Sequence, residues 1–327
     1  ISHAGRQTPG EMNSSPLAPS SVQLKIPGKK FGVPVAMTVK DIGEVIKRFI
    51  FVAKVARESG FTGIQIHSAH GYLLSEFLSP DINKRTDEWG GSLENRTRIH
   101  VEIIKGIRKA LGNDFPISLK LNSADFQKGG FSPADDLESA RIIESAGIDL
   151  LEISGGTYEQ PRLLGLDNLS INPERSENRK SSSIAREAYF LDYAEKIKKS
   201  ISIPIMVTGG FRTKDAMESS IKSNACQMIG VGRPLCADPQ SIRKLLSDQM
   251  KELSTYEKSL SLGPWIFSPS SPFRLIQAIN GFGTQAWCYQ QIKRMARNEK
   301  PDLNMSMFSA LKNDIRDDLA SFKALKS

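Results

Sequence analysis

Two histidines and a tyrosine lie together in segment 67–72, at His67, His70 and Tyr72. Neutral imidazoles can donate hydrogen bonds to a carbonyl oxygen, and a nearby phenol can deliver a proton. The same histidines could instead bind a metal ion with Glu76 as a third ligand, or could satisfy loop backbone groups. The cluster favours recognition of a carbonyl-bearing ligand, with the metal site and the structural role as alternatives.

Two glycine-rich turns follow consecutive apolar segments, one with Gly209 and Gly210, the other with Gly232 and then Arg233. Glycine lets backbone N–H groups approach a phosphate closely, and an arginine adds charge-assisted hydrogen bonds. The glycines could alternatively serve only tight turns that need a positive φ. Two such turns with an arginine favour a phosphate-binding site.

Charged residues in two other places suggest internal partners. Lys120 lies in the apolar segment 116–122, where burial of an unpaired ammonium is costly. We expect it to face an anionic group in the mouth of the fold, or else to snorkel at an edge. Segment 81–98 is rich in both charges, and we expect its arginines to tie a long loop to the next helix rather than to contact substrate.

Short apolar segments alternate with segments of helical period, and together they must position these residues. The predicted strands are 61–67, 116–122, 149–155, 203–210 and 227–233, with 1–3 as the tail of one more. The predicted helices are 38–58, 93–111, 135–146, 189–199, 213–223, 241–250, 276–297 (interrupted by Gly281 and Gly283) and 304–326. The long connections 68–92 and 156–186 are predicted as loops.

This alternation predicts parallel βα units, arranged either as a doubly wound sheet or as a TIM (β/α)8 barrel. No predicted strand is followed by G-x-G-x-x-G, which argues against the doubly wound dinucleotide-binding fold. The polar residues follow strand ends, where a barrel places its active site. We therefore predict a partial (β/α)8 barrel over residues 1–250, its N-terminal strands missing from this chain, and a C-terminal helical extension over 251–327.

Composition limits the function classes. The 327 residues carry a net charge of +8 and 24% charged residues, as globular proteins do. No apolar run reaches ~18 residues, so no membrane partner is expected. Basic residues are interleaved with acidic ones, which argues against nucleic acid. Three cysteines without C-x-x-C spacing predict a reducing, cytoplasmic location and no cysteine-held metal.

The sequence resembles the old yellow enzyme family of flavin-dependent NAD(P)H oxidoreductases over residues 1–250. The motifs that carry the resemblance are ISHAGRQ at 1–7, HSAHGYLLSEFLSPDINKRTDEWGGSLENR at 67–96, the Lys120 strand, VTGGF at 207–211 and IGVGRPLCADP at 229–239. The long motif is highly specific, whereas the glycine turns alone would be weak. The family's iron–sulfur branch is set apart by a cysteine cluster that this sequence lacks.

The resemblance implies a barrel that binds FMN at the carboxyl ends of its strands and takes hydride from NAD(P)H. It implies that His67 and His70 bind the carbonyl oxygen of an activated alkene and that Tyr72 is the proton donor. The residues implied to hold the flavin are Lys120, Gly209, Gly210, Gly232 and Arg233.

The expected function is reduction of the C=C bond of α,β-unsaturated carbonyl compounds. The expected partner is a small enone-type molecule, and the chain could form a homo-oligomer. One alternative is a truncated, catalytically inactive paralogue that acts through a partner or is not stably folded. Another is a barrel lyase or isomerase that uses the phosphate cradle for its substrate.

Overall fold

The computed structural model describes residues 1–26, 31–123, 130–154 and 190–324. The strands are β1 (Leu17–Ala18), β2 (Val35–Ala36), β3 (Ile64–Ser68), β4 (Ile117–Asn122), β5 (Leu150–Ser154), β6 (Ile205–Thr208) and β7 (Met228–Gly230). The helices are α1 (Val39–Glu58), α2 (Leu73–Leu78), α3 (Leu93–Leu111), α4 (Pro133–Ala146), α5 (Leu191–Lys198), α6 (Lys214–Lys222), α7 (Ser241–Leu246), α8 (Tyr256–Ser259), α9 (Arg274–Ala296) and α10 (Met307–Ala324).

Strands β3 to β7 form a parallel sheet in chain order, β3-β4-β5-β6-β7. Ile1 lies alongside β3: its amino group donates to Gln65 O at 2.6 Å, and His67 N donates to Ile1 O at 2.9 Å. Of the strand tail predicted at residues 1–3, the structure shows two backbone hydrogen bonds between Ile1 and β3. Because neighbouring strands are parallel, all their carboxyl ends meet at one edge of the sheet.

Capping residues explain where the helices begin. The Thr38 hydroxyl accepts from Asp41 N at 3.1 Å, and the Asp41 carboxylate accepts from Thr38 N at 2.8 Å, which satisfies both donors at the start of α1. Ser132 makes the same arrangement before α4, whose first residue is Pro133. Gly112, with φ +76°, ends α3. These signals explain why the predicted helices 38–58, 93–111 and 135–146 are confirmed within a few residues.

The two faces of the sheet differ in burial. Side chains on the outer face lie under the helices, and Ile66, Leu119 and Ile153 are fully buried in the main hydrophobic cluster. Their neighbours point to the other face, where Met206 is partly exposed and Met228 is 48% exposed. That second face corresponds to the interior of a barrel, and it carries the polar side chains of the candidate site.

Several boundaries differ from the prediction. Loop 68–92 contains the short helix α2, all six residues of which are buried. The predicted helix 241–250 ends at Leu246, and Asp248 follows with a φ of +58°. The predicted loop 156–186 lies outside the described residues. The ion pairs expected for segment 81–98 are present: Arg85 pairs with Asp87, and Arg96 with Asp135 on α4.

The predicted interruption of the C-terminal helix at its glycines is wrong, because α9 continues through both Gly281 and Gly283. A Cβ atom at Gly283 would lie 2.5 Å from Met307 Cγ on α10, so glycine lets the two helices approach closely. Trp287 of α9 is buried, and its indole N–H donates to Met305 O at 3.1 Å. In the described ranges, no helix combines the length and the apolar character that a membrane crossing needs.

Candidate active site

The two histidines and the tyrosine of segment 67–72 come together at the carboxyl end of β3. The ring centroids of His67 and His70 are 5.1 Å apart, and those of His67 and Tyr72 are 5.0 Å apart, both in edge-on geometry. His70 has a φ of +60°, which is uncommon for a residue with a side chain. That conformation turns the chain so that three side chains converge on one place.

Hydrogen bonds hold the His70 turn in position. Its backbone N donates to Asn122 Oδ1 at 3.0 Å, and its carbonyl accepts from Gln7 Nε2 at 3.1 Å. Its ring Nε2 lies 2.9 Å from Ser154 Oγ at the end of β5. Three separate segments therefore hold the loop. Their hydrogen bonds offset the energetic cost of the unusual φ of His70.

Both imidazoles are neutral at pH 7. Burial, and then the charges of Lys120 and of the N-terminus, lower the pKa of His67 to about 4. Burial, then His67 and Lys120, hold the pKa of His70 well below its usual value. Because His67 Nδ1 accepts from Ala69 N at 3.2 Å, the proton of the neutral ring lies on Nε2. His67 can therefore donate one hydrogen bond to a ligand oxygen.

Lys120 faces a carboxylate of this chain, as the sequence predicted for an anionic group. Its Nζ is 3.0 Å from Glu152 Oε1, on the neighbouring strand in register, and the Glu152 side chain is only 3% exposed. Gln65 Nε2 donates to the other carboxylate oxygen at 2.6 Å. Sequence reasoning missed Glu152 and Gln65. The signal available for Glu152 was a charged residue within the apolar segment 149–155, which parallels Lys120 in segment 116–122.

The glycine turns follow the neighbouring strands β6 and β7, as predicted. Gly209 and Gly210 have φ values of +134° and +88°, so tight-turn geometry does require glycine there. A Cβ atom at Gly230 would collide with the Thr208 hydroxyl, whereas one at Gly232 would meet no atom of the described residues within 4 Å. The space beside Gly232 is therefore open to a ligand.

Two arginines converge beyond these turns. Arg212 Nη2 and Arg233 Nη1 contact the same oxygen of Glu257, at 2.6 and 3.0 Å. The Thr208 hydroxyl is buried and has no hydrogen-bond partner among the described residues. Two guanidinium groups, an orphan hydroxyl and an open glycine turn fit the phosphate of a flavin nucleotide. Glu257, which the sequence did not single out, presents its carboxylate to both arginines.

The sequence-predicted residues thus occupy one edge of the sheet in two groups. His67, His70, Tyr72 and Lys120 lie at the ends of β3 and β4, and the glycine turns with Arg233 lie at the ends of β6 and β7. The parallel strands point both groups to the same side. A ligand that binds across this edge would contact both.

Glu76, the third ligand of the metal alternative, has a different contact. Its carboxylate accepts from Arg6 N at 2.8 Å, and burial raises its pKa to about 8, although Arg6 opposes this. Within ranges 1–26, 31–123, 130–154 and 190–324, no group of three potential metal ligands comes together. Glu76 instead ties the segment that carries Gln7 to α2, and so supports the His70 turn indirectly.

The parallel sheet, with helices on its outer face and polar turns at the carboxyl ends of its strands, assigns this chain to the class of α/β-barrel proteins. The family described as NADH:flavin oxidoreductase / NADH oxidase matches residues 1–252, and the chain belongs to this family. Membership confirms the expected family and its cofactors, FMN and NAD(P)H.

Relatives of established name are similar over much of this chain. An NADH-dependent flavin oxidoreductase, iccE, from Talaromyces variabilis is 40% identical over 64% of this chain and 49% of its own length. A cinnamate reductase from Clostridium sporogenes is 32% identical over 65% of this chain and 32% of its own. The chain thus spans half or less of the length of these two curated relatives.

Solved structures support the barrel. A 2-naphthoyl-CoA reductase complex matches with a TM-score of 0.62 and 31% identity, over 73% of this chain and 34% of the other. An old yellow enzyme homologue from Zymomonas mobilis matches with a TM-score of 0.60 and 22% identity, over 83% and 72% of the two chains. The second likeness shows the fold alone. The predicted TIM-barrel fold class is confirmed.

Proposed function

We propose that this chain belongs to an FMN-dependent NAD(P)H oxidoreductase that reduces the activated C=C bond of α,β-unsaturated carbonyl compounds. The observation that carries the proposal is the cluster of two neutral imidazoles and one phenol, with ring centroids about 5 Å apart. The names of two relatives, cinnamate reductase and 2-naphthoyl-CoA reductase, point to conjugated acyl compounds as the substrate class.

In this proposal, His67 and His70 bind the substrate carbonyl oxygen. His67 donates from Nε2, because its Nδ1 already accepts from Ala69 N. His70 would donate from Nδ1 in the tautomer whose Nε2 accepts from the Ser154 hydroxyl, 2.9 Å away. Negative charge develops on the oxygen during the reaction, so both hydrogen bonds strengthen in the transition state and lower the barrier. Because both rings stay neutral across the neutral pH range, each keeps one N–H donor for the substrate oxygen.

Tyr72 donates the proton that completes the reduction at the carbon next to the carbonyl group. Its position at the N-terminus of α2, with its ring centroid 5.0 Å from that of His67, supports this role. A positioned acid of this kind typically contributes 10²–10⁴-fold in rate. In this proposal, the hydroxyl takes part in no other chemical step.

Lys120, Gly209, Gly210, Gly232 and Arg233 would hold the flavin. When bound, FMN supplies the hydride that NAD(P)H delivers. Lys120 would place its positive charge near the ring system. The carboxylate of Glu152, 3.0 Å from Lys120 Nζ, partly neutralises that charge. Arg233 and the open turn at Gly232 would bind the phosphate.

The test separates the two half-reactions in the Tyr72→Phe variant loaded with FMN. We expect alkene reduction to slow by about 10²–10⁴-fold, while flavin reduction by NAD(P)H stays within about twofold. Tyr289→Phe is the matched control, because Tyr289 is an exposed tyrosine of α9. Equal losses in both half-reactions would refute the role of Tyr72.

A simpler observation tests the alternative of an inactive paralogue. That alternative predicts that FMN neither colours the purified chain nor raises its melting temperature. A cooperative melt that shifts upward with FMN concentration would reject it, since only a ligand of the folded state stabilises in this way. A chain that stays colourless would count against the proposed function.

A further inference from the structure

The folded chain contains two serine–histidine pairs, and one of them lies in the candidate active site. Ser154 Oγ, at the end of β5, is 2.9 Å from Nε2 of His70. Ser68 Oγ, at the end of β3, is 2.7 Å from Nε2 of His100 on α3. Both serines are buried. His100 is enclosed in the protein interior, whereas the His70 ring lies 5.1 Å from that of His67.

Two neighbouring strands hold different parts of His70. The side chain of Asn122, at the end of β4, accepts from the backbone N of His70 at 3.0 Å, and the Ser154 hydroxyl contacts the ring. Asn122 and Ser154 are partners in register on the parallel strands β4 and β5. The sheet therefore fixes the main chain of His70 from one strand and its imidazole from the next.

The hydroxyl hydrogen of Ser154 determines which ring nitrogen of His70 carries a proton. Among the described residues, His70 Nε2 is the hydrogen-bond partner of this buried hydroxyl. If Nε2 carried the proton, it would donate to Ser154 Oγ and leave the hydroxyl hydrogen without an acceptor, which is costly for a buried group. If Nε2 accepts instead, the hydroxyl hydrogen is satisfied and the proton of the neutral ring lies on Nδ1. No described residue hydrogen-bonds to His70 Nδ1, so that N–H is available to a ligand.

The His67 ring reaches the opposite tautomer through a different contact. Its Nδ1 accepts from Ala69 N at 3.2 Å, so its proton lies on Nε2. A backbone N–H is always a donor, so the chain conformation alone fixes the tautomer of His67. The tautomer of His70, in contrast, depends on one side chain, that of Ser154.

We propose that Ser154 is a positioning residue, which holds His70 as the Nδ1–H tautomer so that His70 and His67 both donate to one substrate oxygen. The inference rests on the proposed function, which supplies that oxygen. Without the serine hydroxyl, both tautomers of His70 become available. The Nε2–H form presents the lone pair of Nδ1 to the substrate oxygen, so one of the two donors to the developing negative charge is lost.

The first test reads the tautomers directly, by nitrogen-15 NMR of the full chain labelled at its 4 histidines, at pH 7. Couplings between the ring nitrogens and the carbon-bound ring protons distinguish the tautomers, and the His70→Gln variant identifies the His70 signals by their absence. We expect Nδ1–H for His70 and Nε2–H for His67. Ser154→Ala should give a mixture of both forms at His70, whereas Ser154→Thr, which keeps a hydroxyl, should retain Nδ1–H. Ser68→Ala is the matched control, because it removes the other serine–histidine hydrogen bond and should leave the His70 signals unchanged.

The second test measures the alkene half-reaction with the FMN-loaded variants. Ser154→Ala should lower its rate constant at saturating substrate by about 3- to 10-fold, the effect of one ordinary hydrogen bond, with little change in the half-saturating concentration. Ser154→Thr should recover most of the rate, and Ser68→Ala should stay within about twofold of wild type.

The proposal is overturned if wild-type His70 is the Nε2–H tautomer, if Ser154→Ala keeps Nδ1–H, or if Ser68→Ala slows the reaction equally. The wild-type spectrum decides the first point, so misfolding of a variant would not protect the proposal. A chain that reduces no enone would refute the proposed function, and the spectra would still show whether Ser154 sets the tautomer of His70.

Discussion

Glu257 offers the sharpest test of the phosphate site, because its carboxylate sits where an anionic ligand is proposed to bind. Arg212 and Arg233 contact one of its oxygens at 2.6 and 3.0 Å, and the Glu257 side chain is 17% exposed. If FMN phosphate uses Arg233, it must displace this carboxylate or share the arginine with it. Glu257→Gln removes the competing charge while keeping the shape of the side chain.

The expected change in FMN affinity follows from the two arginine–Glu257 contacts that the phosphate would replace. Charge-assisted hydrogen bonds contribute about 1.5–3 kcal/mol in net terms, and a neutral amide retains only part of this. Each 1.4 kcal/mol corresponds to a tenfold change in Kd, so Glu257→Gln should tighten FMN binding by about 10- to 100-fold. The FMN-free variant should also melt at a lower temperature, since two partly buried guanidinium groups lose their counter-charge.

The assay is titration of apoprotein into FMN, followed by quenching of flavin fluorescence. Glu299→Gln is the matched control: Glu299 also bridges two arginines, Arg294 and Arg297, but on the loop after α9. The control should leave the Kd unchanged within about twofold. An unchanged or weaker affinity in Glu257→Gln would refute the reasoning, because Glu257 would then orient Arg233 for the phosphate rather than compete with it.

Three further predictions concern single residues. The His67 imidazole should titrate near pH 4 in nitrogen-15 NMR spectra, because burial lowers its pKa; a midpoint above pH 6 would contradict the assignment. Its neutral form stabilises the fold above its unfolded pKa of about 6.5, and this contribution is lost as the pH falls towards 4. Burial raises the pKa of Glu76 to about 8, so its contribution is fully present below pH ~4.5 and is lost as the pH rises through 8. Glu76→Gln should flatten urea stability between pH 5 and 8, and an unaltered slope would argue against a protonated Glu76. Gly230→Ala should destabilise the fold by about 1–3 kcal/mol in urea, since the new Cβ collides with the Thr208 side chain. Adding Thr208→Ala should recover part of the loss, because it removes the hydroxyl but leaves the Thr208 Cβ 2.7 Å from the new atom; additive losses would exclude the hydroxyl collision as a cause.

Local signals made most of the framework predictable. Helix α3 has the predicted bounds because Ser92 caps its start and Gly112 ends it. Strands β4 to β7 lie within the predicted apolar segments and β3 passes its segment by one residue, since parallel strands covered by helices are nearly continuously apolar. Helix α2 escaped prediction because its six residues span too few turns to show a helical period.

Long-range contacts account for what the sequence could not reveal. A glycine costs about 1 kcal/mol in a helix, which is why Gly283 was expected to interrupt α9, yet close packing against Met307 outweighs that cost. The contact of Glu257 with Arg233 joins positions in separate elements, and no local pattern announces it. Glu152 was within reach of the reasoning applied to Lys120, because a buried charge implies a nearby opposite charge.

The carboxylates of Glu152 and Glu257 differ in how much of the structure would have to rearrange if either were displaced. Glu152 lies in the middle of a central strand, in register with Lys120, and Gln65 fixes its second oxygen. Glu257 lies on α8, a helix of four residues without a side-chain cap, and its second oxygen has no hydrogen-bond partner among the described residues. Displacing Glu152 would break the sheet interior, whereas displacing Glu257 needs only a local rearrangement of α8. Within the proposed function, the charge near the flavin ring is therefore fixed by the barrel, and the affinity for the phosphate is adjustable from the C-terminal helices.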